Sequence, residues 1–214
     1  MQVTRIIAIR HGETAWNVDT RLQGHLDIAL NDVGLWQASR VALALTDEPI
    51  DTIYTSDLMR AWQTAQAIAE VAGCPVITDQ GLRERGFGEF EGKTHAEIEA
   101  DWPDMSLQWR RREPDWAPPG GESLNTMRER VQSAASALAA QHIGGQIVLV
   151  AHGGVMDILY RLATRQELQA PRAWNLSNAA INRLLWTPEG FSLVGWADTG
   201  HLEDSSSLDE TVVT

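Results

Sequence analysis

Apolar positions along the chain fall into two alternating patterns. Ile6, Ile7, Ala8 and Ile9 form a short β-branched run, and Ile147, Val148, Leu149 and Val150 repeat it much later. Both runs are too short for helices and read as strands covered on both faces of a parallel sheet. Each ends abruptly in His-Gly, at His11-Gly12 and His152-Gly153. Residues 52–55 and 75–77 read as two further short strands. Between the strands the spacing becomes helical. Asn31 and Asp32 cap a helix running to about Leu45, with Leu35, Ala38, Ala42 and Leu45 on one face. Ser56 or Asp57 caps a second helix carrying Leu58, Ala61, Ala65, Ile68 and Ala69, which puts Arg60 in its first turn. A long helix spans about 122–141, and a shorter one about 155–163. Residues 181–186 and 191–196, joined by a Thr-Pro-Glu-Gly turn, read as a hairpin at the sheet edge.

This order predicts an α/β three-layer sandwich, with a mostly parallel central sheet and helices on both faces. Residues 13–28 are read as a loop, polar and rich in turn formers. Residues 86–121 break the pattern with closely spaced glycines, acidic and aromatic residues, and a Pro-Pro-Gly-Gly stop. They read as a helical lid inserted over the strand ends. A single domain is expected over residues 1–202, followed at 203–214 by an acidic, serine-rich tail expected to be disordered.

Composition narrows the function classes. The net charge of −12 argues against nucleic acid or an anionic membrane as the main partner. It also makes any cluster of arginines informative, since such a cluster opposes the overall field. Cys74 is the only cysteine, so no disulfide forms within the chain, which fits a cytoplasmic setting. No signal peptide is evident at the N-terminus. Residues 131–156 lack Asp, Glu, Lys and Arg, but polar residues and Gly144-Gly145 divide them into a helix, a turn and a strand rather than a bilayer span.

In open α/β sheets the ligand crevice lies beyond the carboxyl ends of the strands. Two strands ending in His-Gly therefore bring two histidines to one edge. If Arg10 and Arg60 converge on His11, two guanidiniums can grip a phosphoryl group. Each cation, roughly 4–6 Å away, would disfavour protonation of the imidazole by an energy on the order of kcal/mol. His11 would then be a neutral nucleophile that attacks a phosphate monoester to form a phosphohistidine, which water hydrolyses. Glu84, at the entry to the lid, could protonate the leaving alkoxide, with His152 as a second donor to the phosphate.

These residues lie in four motifs. Arg10-His11-Gly12-Glu13-Thr14, followed by Asn17 and Leu22-Gln23-Gly24, resembles the signature of the histidine phosphatase superfamily, in its phosphoglycerate-mutase-like branch. Thr55-Ser56-Asp57-Leu58-Met59-Arg60 resembles the second motif of that family. Leu82-Arg83-Glu84-Arg85 with Gly88-Glu89-Phe90-Glu91-Gly92 resembles its acid-bearing motif, and Ala151-His152-Gly153-Gly154 its last. The motifs stand in family order and span nearly the whole chain. The resemblance implies His11 as the phosphorylated residue, Glu84 as the acid, and Arg10, Arg60 and His152 around the phosphate. Asn17, Gln23, Gly24 and Gly153 would assist, and no metal or other cofactor is implied.

Rival readings fail on detail. Glu91-Gly92-Lys93-Thr94 suggests a P-loop, but Phe87 stands where its first glycine belongs. Gly121-Glu122-Ser123-Leu124-Asn125 lacks the last glycine of a nucleophile elbow. A metal site on the histidines lacks recognised ligand spacing and would lie among arginines.

Within the family the choice lies between phosphatase and phosphoglycerate mutase, the latter using 2,3-bisphosphoglycerate. The stretch between Glu84 and Val150 is compact, and Gly154 replaces the asparagine of true mutases. His95 stands where their substrate-binding lysine would fall. These features favour a phosphatase acting on a small phosphorylated metabolite. Trp109-Arg110-Arg111 before Pro118-Pro119 points the other way, since it resembles the mutase arginine pair that binds the substrate's second anionic group. Arg110 and Arg111 are therefore candidate substrate ligands, against the alternative that Arg110 to Arg112 form a solvated helix face balanced by Glu113 and Asp115. A further alternative is an idle family member acting as a protein-binding module, with Trp102, Trp109 and Trp116 as interface anchors. The expected partner is a small phosphate ester, with the hairpin edge a candidate homodimer surface.

Overall fold

The computed structural model describes residues 3–203, and the expected acidic tail lies almost entirely outside the described residues. Six strands form one sheet in the order β3-β2-β4-β1-β5-β6. Its centre is β1 (Thr4–Arg10) paired in parallel with β4 (Gln146–Ala151). On one side β2 (Thr52–Thr55) and β3 (Val76–Thr78) continue the parallel pairing. On the other, β5 (Ile181–Thr187) and β6 (Gly190–Asp198) form an antiparallel hairpin at the edge.

Successive side chains of a strand point to opposite faces, and the two central strands divide their residues accordingly. Ile6, Ala8, Ile147, Leu149 and Ala151 enter one core, whereas Ile7, Ile9, Val148 and Val150 enter the other. The first core is closed by α6 (Leu124–Ala140) and α7 (Gly153–Thr164), through Met127, Val131, Ala135, Val155 and Ile158. The second is closed by α2 (Asp32–Ala44) and α3 (Met59–Ala72), through Val41, Ala42, Ala61, Ala65 and Ile68. This is the three-layer α/β arrangement. Unbroken apolar runs are what strands covered on both faces require.

Local chemistry corrects several expectations. Residues 15–18 form a single helical turn, α1 (Ala15–Val18), held by a capping box between Thr14 and Asn17 rather than left as loop. Leu35 faces outward at 48% exposure, and Val41 takes its place in the core. The cap of α3 is Leu58, which offers no side-chain bond. Asp27 Oδ1 instead accepts from the Met59 N–H at 2.6 Å, so a residue far off in sequence caps the helix. α7 begins at Gly153, directly behind His152, rather than at 155.

The excursion over 86–121 contains a short 3-10 turn at Gly88–Phe90 and two short helices, α4 (His95–Asp101) and α5 (Pro103–Arg110). It has its own small core. Phe90 is fully buried, and its ring lies 5.5, 5.6 and 6.1 Å from those of Trp102, Trp109 and Trp116. The tryptophans spaced by seven thus pack inward on one phenylalanine and do not form an outward interface stripe.

Candidate active site

Sheet register brings the two histidines together. Arg10 of β1 pairs with Ala151 of β4, and the N–H of His11 donates to the Ala151 carbonyl at 2.9 Å. The residues one step further on, His11 and His152, therefore lie side by side with ring centroids 5.2 Å apart. Both are almost wholly buried.

Hydrogen bonds set their tautomers. His11 Nδ1 lies 2.6 Å from the Gly12 carbonyl, which can only accept, so Nδ1 carries the proton and Nε2 keeps its lone pair. His152 Nδ1 accepts from Arg60 Nε at 3.2 Å, which places the proton on Nε2. That Nε2 is buried without a partner, and so is Nε of Arg10. The site thus holds one open nitrogen acceptor and two unpartnered buried donors. Burial first, then the cations of Arg60 and Arg10, push the His11 pKa well below its usual 6.5, against the opposing bond to Gly12. Burial and Arg60 do the same for His152. Both rings are neutral at pH 7.

Arg60 differs from the open fork expected of it. Its Nη1 and Nη2 donate to the carbonyls of Leu26 and Gly24, each at 2.8 Å, while Nε is committed to His152. Burial brings its pKa down to about 10. Arg60 therefore ties the 24–26 loop to His152 as well as supplying charge. Arg10 is held through Nη1 by the Leu176 carbonyl. The Asn17 side chain belongs to the cap of α1, and its Oδ1 also accepts from Asn178 Nδ2 at 3.3 Å. Asn178 in turn donates to the His11 carbonyl at 2.9 Å. Gln23 is buried, with Oε1 unpartnered. Gly24 adopts φ +50°, and a Cβ there would lie 2.1 Å from Glu91 Oε1.

Glu84 sits at the start of α7. Its Oε2 accepts from the Gly154 N–H at 3.0 Å and its Oε1 from the Arg85 N–H at 2.8 Å. Helix N-termini attract carboxylates through unpaired N–H groups and the dipole. A Cβ on Gly154 would lie 2.2 Å from Glu84 Oε1, so only glycine admits the carboxyl. The Glu84 carbonyl is held by His25 Nε2 at 2.9 Å. Arg130 binds the preceding turn through the carbonyls of Gly81 and Arg83 and reaches the Glu122 carboxylate. Sequence reasoning passed over Asn178, His25 and Arg130, because each acts across more than 40 residues and none lies in a motif. Gly154 was legible only as a departure from the mutase pattern.

A cavity of about 1100 Å³ opens beside these groups, with Arg10, Glu84, Gly153 and Gly154 in its wall. Of the two candidate arginines, Arg110 lines it, although it is also paired with Glu99. Arg111 does not line it; it is 62% exposed, with Glu113 4.0 Å away. At the end of α5 the two side chains diverge, Arg110 toward the cavity and Arg111 toward solvent. The chain then turns through Arg112 at φ 52°, whose side chain comes back to the Leu168 carbonyl and to Asp157. Arg112, the last of the arginine run, also lines the cavity, and Arg85 and Arg172, to which the sequence assigned no role, complete the basic wall.

A sequence model of the histidine phosphatase superfamily (branch 1) matches residues 6–199. The chain is 38% identical over 207 residues to phosphoglycerate mutase-like protein 4 of Arabidopsis thaliana, covering 95% of this chain and 89% of that protein. It is 36% identical over 211 residues to a metal-independent phosphoserine phosphatase of the same plant, covering 97% and 87%. Among solved structures, a mycobacterial glucosyl-3-phosphoglycerate phosphatase in complex with VO3 superposes with a TM-score of 0.81 at 34% identity, covering 91% of this chain and 99% of that one.

Proposed function

This chain belongs to the histidine phosphatase superfamily, branch 1, and on that premise we propose that it is a metal-independent phosphomonoesterase working through a phosphohistidine on His11. One observation carries the reading: the open lone pair of His11 Nε2 lies beside two buried donors without partners, Arg10 Nε and His152 Nε2. An acceptor that must attack, next to donors that must be satisfied, suits an electrophile bearing anionic oxygens.

The reading implies the following steps. The Nε2 lone pair of His11 attacks phosphorus, and the ester P–O bond breaks. Arg10 and His152 donate to the non-bridging oxygens. Glu84 gives its proton to the leaving alkoxide, then accepts one from the water that attacks the phosphohistidine. The P–N bond breaks, inorganic phosphate leaves and His11 is regenerated. The guanidiniums of Arg60 and Arg10 beside His11 would repel a cation. Among the described residues no group of three or more His, Cys, Asp or Glu could hold a metal ion. Arg85, Arg110 and Arg172 along the cavity favour a small metabolite with a second anionic group.

A mutase reading keeps one specific support, Arg110 on the cavity wall. Phosphorus NMR with 3-phosphoglycerate, with and without 2,3-bisphosphoglycerate, separates the two. Phosphate release is expected; 2-phosphoglycerate appearing much faster than phosphate would overturn the phosphatase reading. The idle-module alternative predicts no turnover of any phosphate ester by well-folded protein.

A further inference from the structure

Two more polar atoms of the cavity wall lack partners, and the steps above use neither. Asp157 lies one turn beyond Gly153 on α7, about 6 Å along the helix. It is 5% exposed, and its Oδ2 accepts from Arg112 Nη2 at 2.9 Å and Arg161 Nε at 3.0 Å. Its Oδ1 is buried with no hydrogen bond. Trp174, in the segment between α7 and β5, stacks on Tyr160 with centroids 4.1 Å apart, and its Nε1 is likewise buried without a partner. Both residues line the 1100 Å³ cavity. A buried polar atom left open costs about 1–3 kcal/mol, so an acceptor and a donor left open in one wall call for a common explanation.

Arg161 fixes both residues. It bonds Asp157, lies 4.7 Å over the Trp174 ring centroid, and is itself anchored by the carbonyls of Glu167 and Ala170. Arg161 thus holds both side chains in place. A carboxylate or phosphate brings only acceptors and would meet the like charge of Asp157. An ammonium brings only donors and leaves Trp174 unsatisfied. A hydroxyl both donates and accepts. We propose that Asp157 Oδ1 and Trp174 Nε1 form a hydroxyl-binding subsite, so that the ester cleaved here carries a sugar or polyol group away from its phosphate. This rests on the phosphomonoesterase reading and narrows its substrate class. Cavity size agrees: about 1100 Å³ is at the upper end for a drug-sized ligand and far more than a three-carbon ester fills.

The test compares sorbitol 6-phosphate with n-hexyl phosphate, equal in carbon chain and differing in hydroxyls, on the wild type and on Trp174→Phe. Phenylalanine keeps a ring against Tyr160 and removes the N–H. The expected result is a loss of about 5-fold or more in kcat/KM for sorbitol 6-phosphate, mainly in KM, with hexyl phosphate unchanged. The melting temperature should not fall through hydrogen bonding, because the N–H had no partner to lose. Asp157→Asn should show the same selective loss. Equal effects on both esters, or none, would overturn the subsite. Titration calorimetry of the two esters with His11→Ala reads the same preference without turnover. Failure of the catalytic reading would show separately, as an absence of phosphohistidine in the wild type.

Discussion

Two neutral imidazoles buried between guanidiniums make the site sensitive to acid. His11 and His152 have folded pKa values well below the 6.5 of an exposed histidine, so between those values the unfolded chain binds more protons than the folded one. Stability therefore rises with pH across that window and is lost as pH falls below 6.5. The slope is about 1.4 kcal/mol per pH unit for each histidine. Chemical denaturation at pH 7.0 and 5.5 checks this; equal stability at both would contradict it. Replacing His11 removes the open nucleophilic nitrogen of the site. His11→Ala should abolish turnover and phosphoenzyme without lowering the melting temperature sharply. Activity above a few per cent of wild type would count against the assignment. At this scale His11, Arg10, Arg60, Glu84 and His152 were legible, since each stands in a motif. Arg111 was not: sequence shows an arginine run, but which member faces the cavity depends on where α5 ends.

Among the elements, α7 connects the site's parts. Its first residues carry the glycine that leaves room for Glu84, its N-terminus holds that carboxyl, and its next turn supplies Asp157. Gly154→Ala should fold normally yet displace Glu84, lowering kcat by about 100-fold with little change in KM, since misplacing a catalytic group by about 1 Å can cost that much. Steady-state kinetics decide it; an unchanged kcat would mean that the docked position of Glu84 is not the working one. Strands and long helices were readable from periodicity, because burial imposes that period directly. Helix starts were less readable where the cap came from elsewhere, as Asp27 caps α3 across 32 residues.

For the whole molecule, charge and shape work in opposition. The chain carries a net charge of −12, yet Arg10, Arg85, Arg110, Arg112 and Arg172, five of its 17 basic residues, line a single cavity. Such a cavity concentrates positive potential where an anionic substrate must arrive. Because guanidiniums supply that potential, activity should survive excess EDTA. Loss restored by a divalent cation would refute the arginine-based chemistry. The sequence by itself determined the α/β layering, the two His-Gly strand ends and the four motifs, since strand periodicity and local residue chemistry are written along the chain. Only the tertiary structure decided which nitrogens remain open, which arginines face the cavity, that Asn178 and Arg130 brace the segments carrying His11 and Glu84, and that Trp174 lines the cavity. Those follow from contacts between residues far apart in sequence, fixed by the register of β1 against β4 and the close packing of α7.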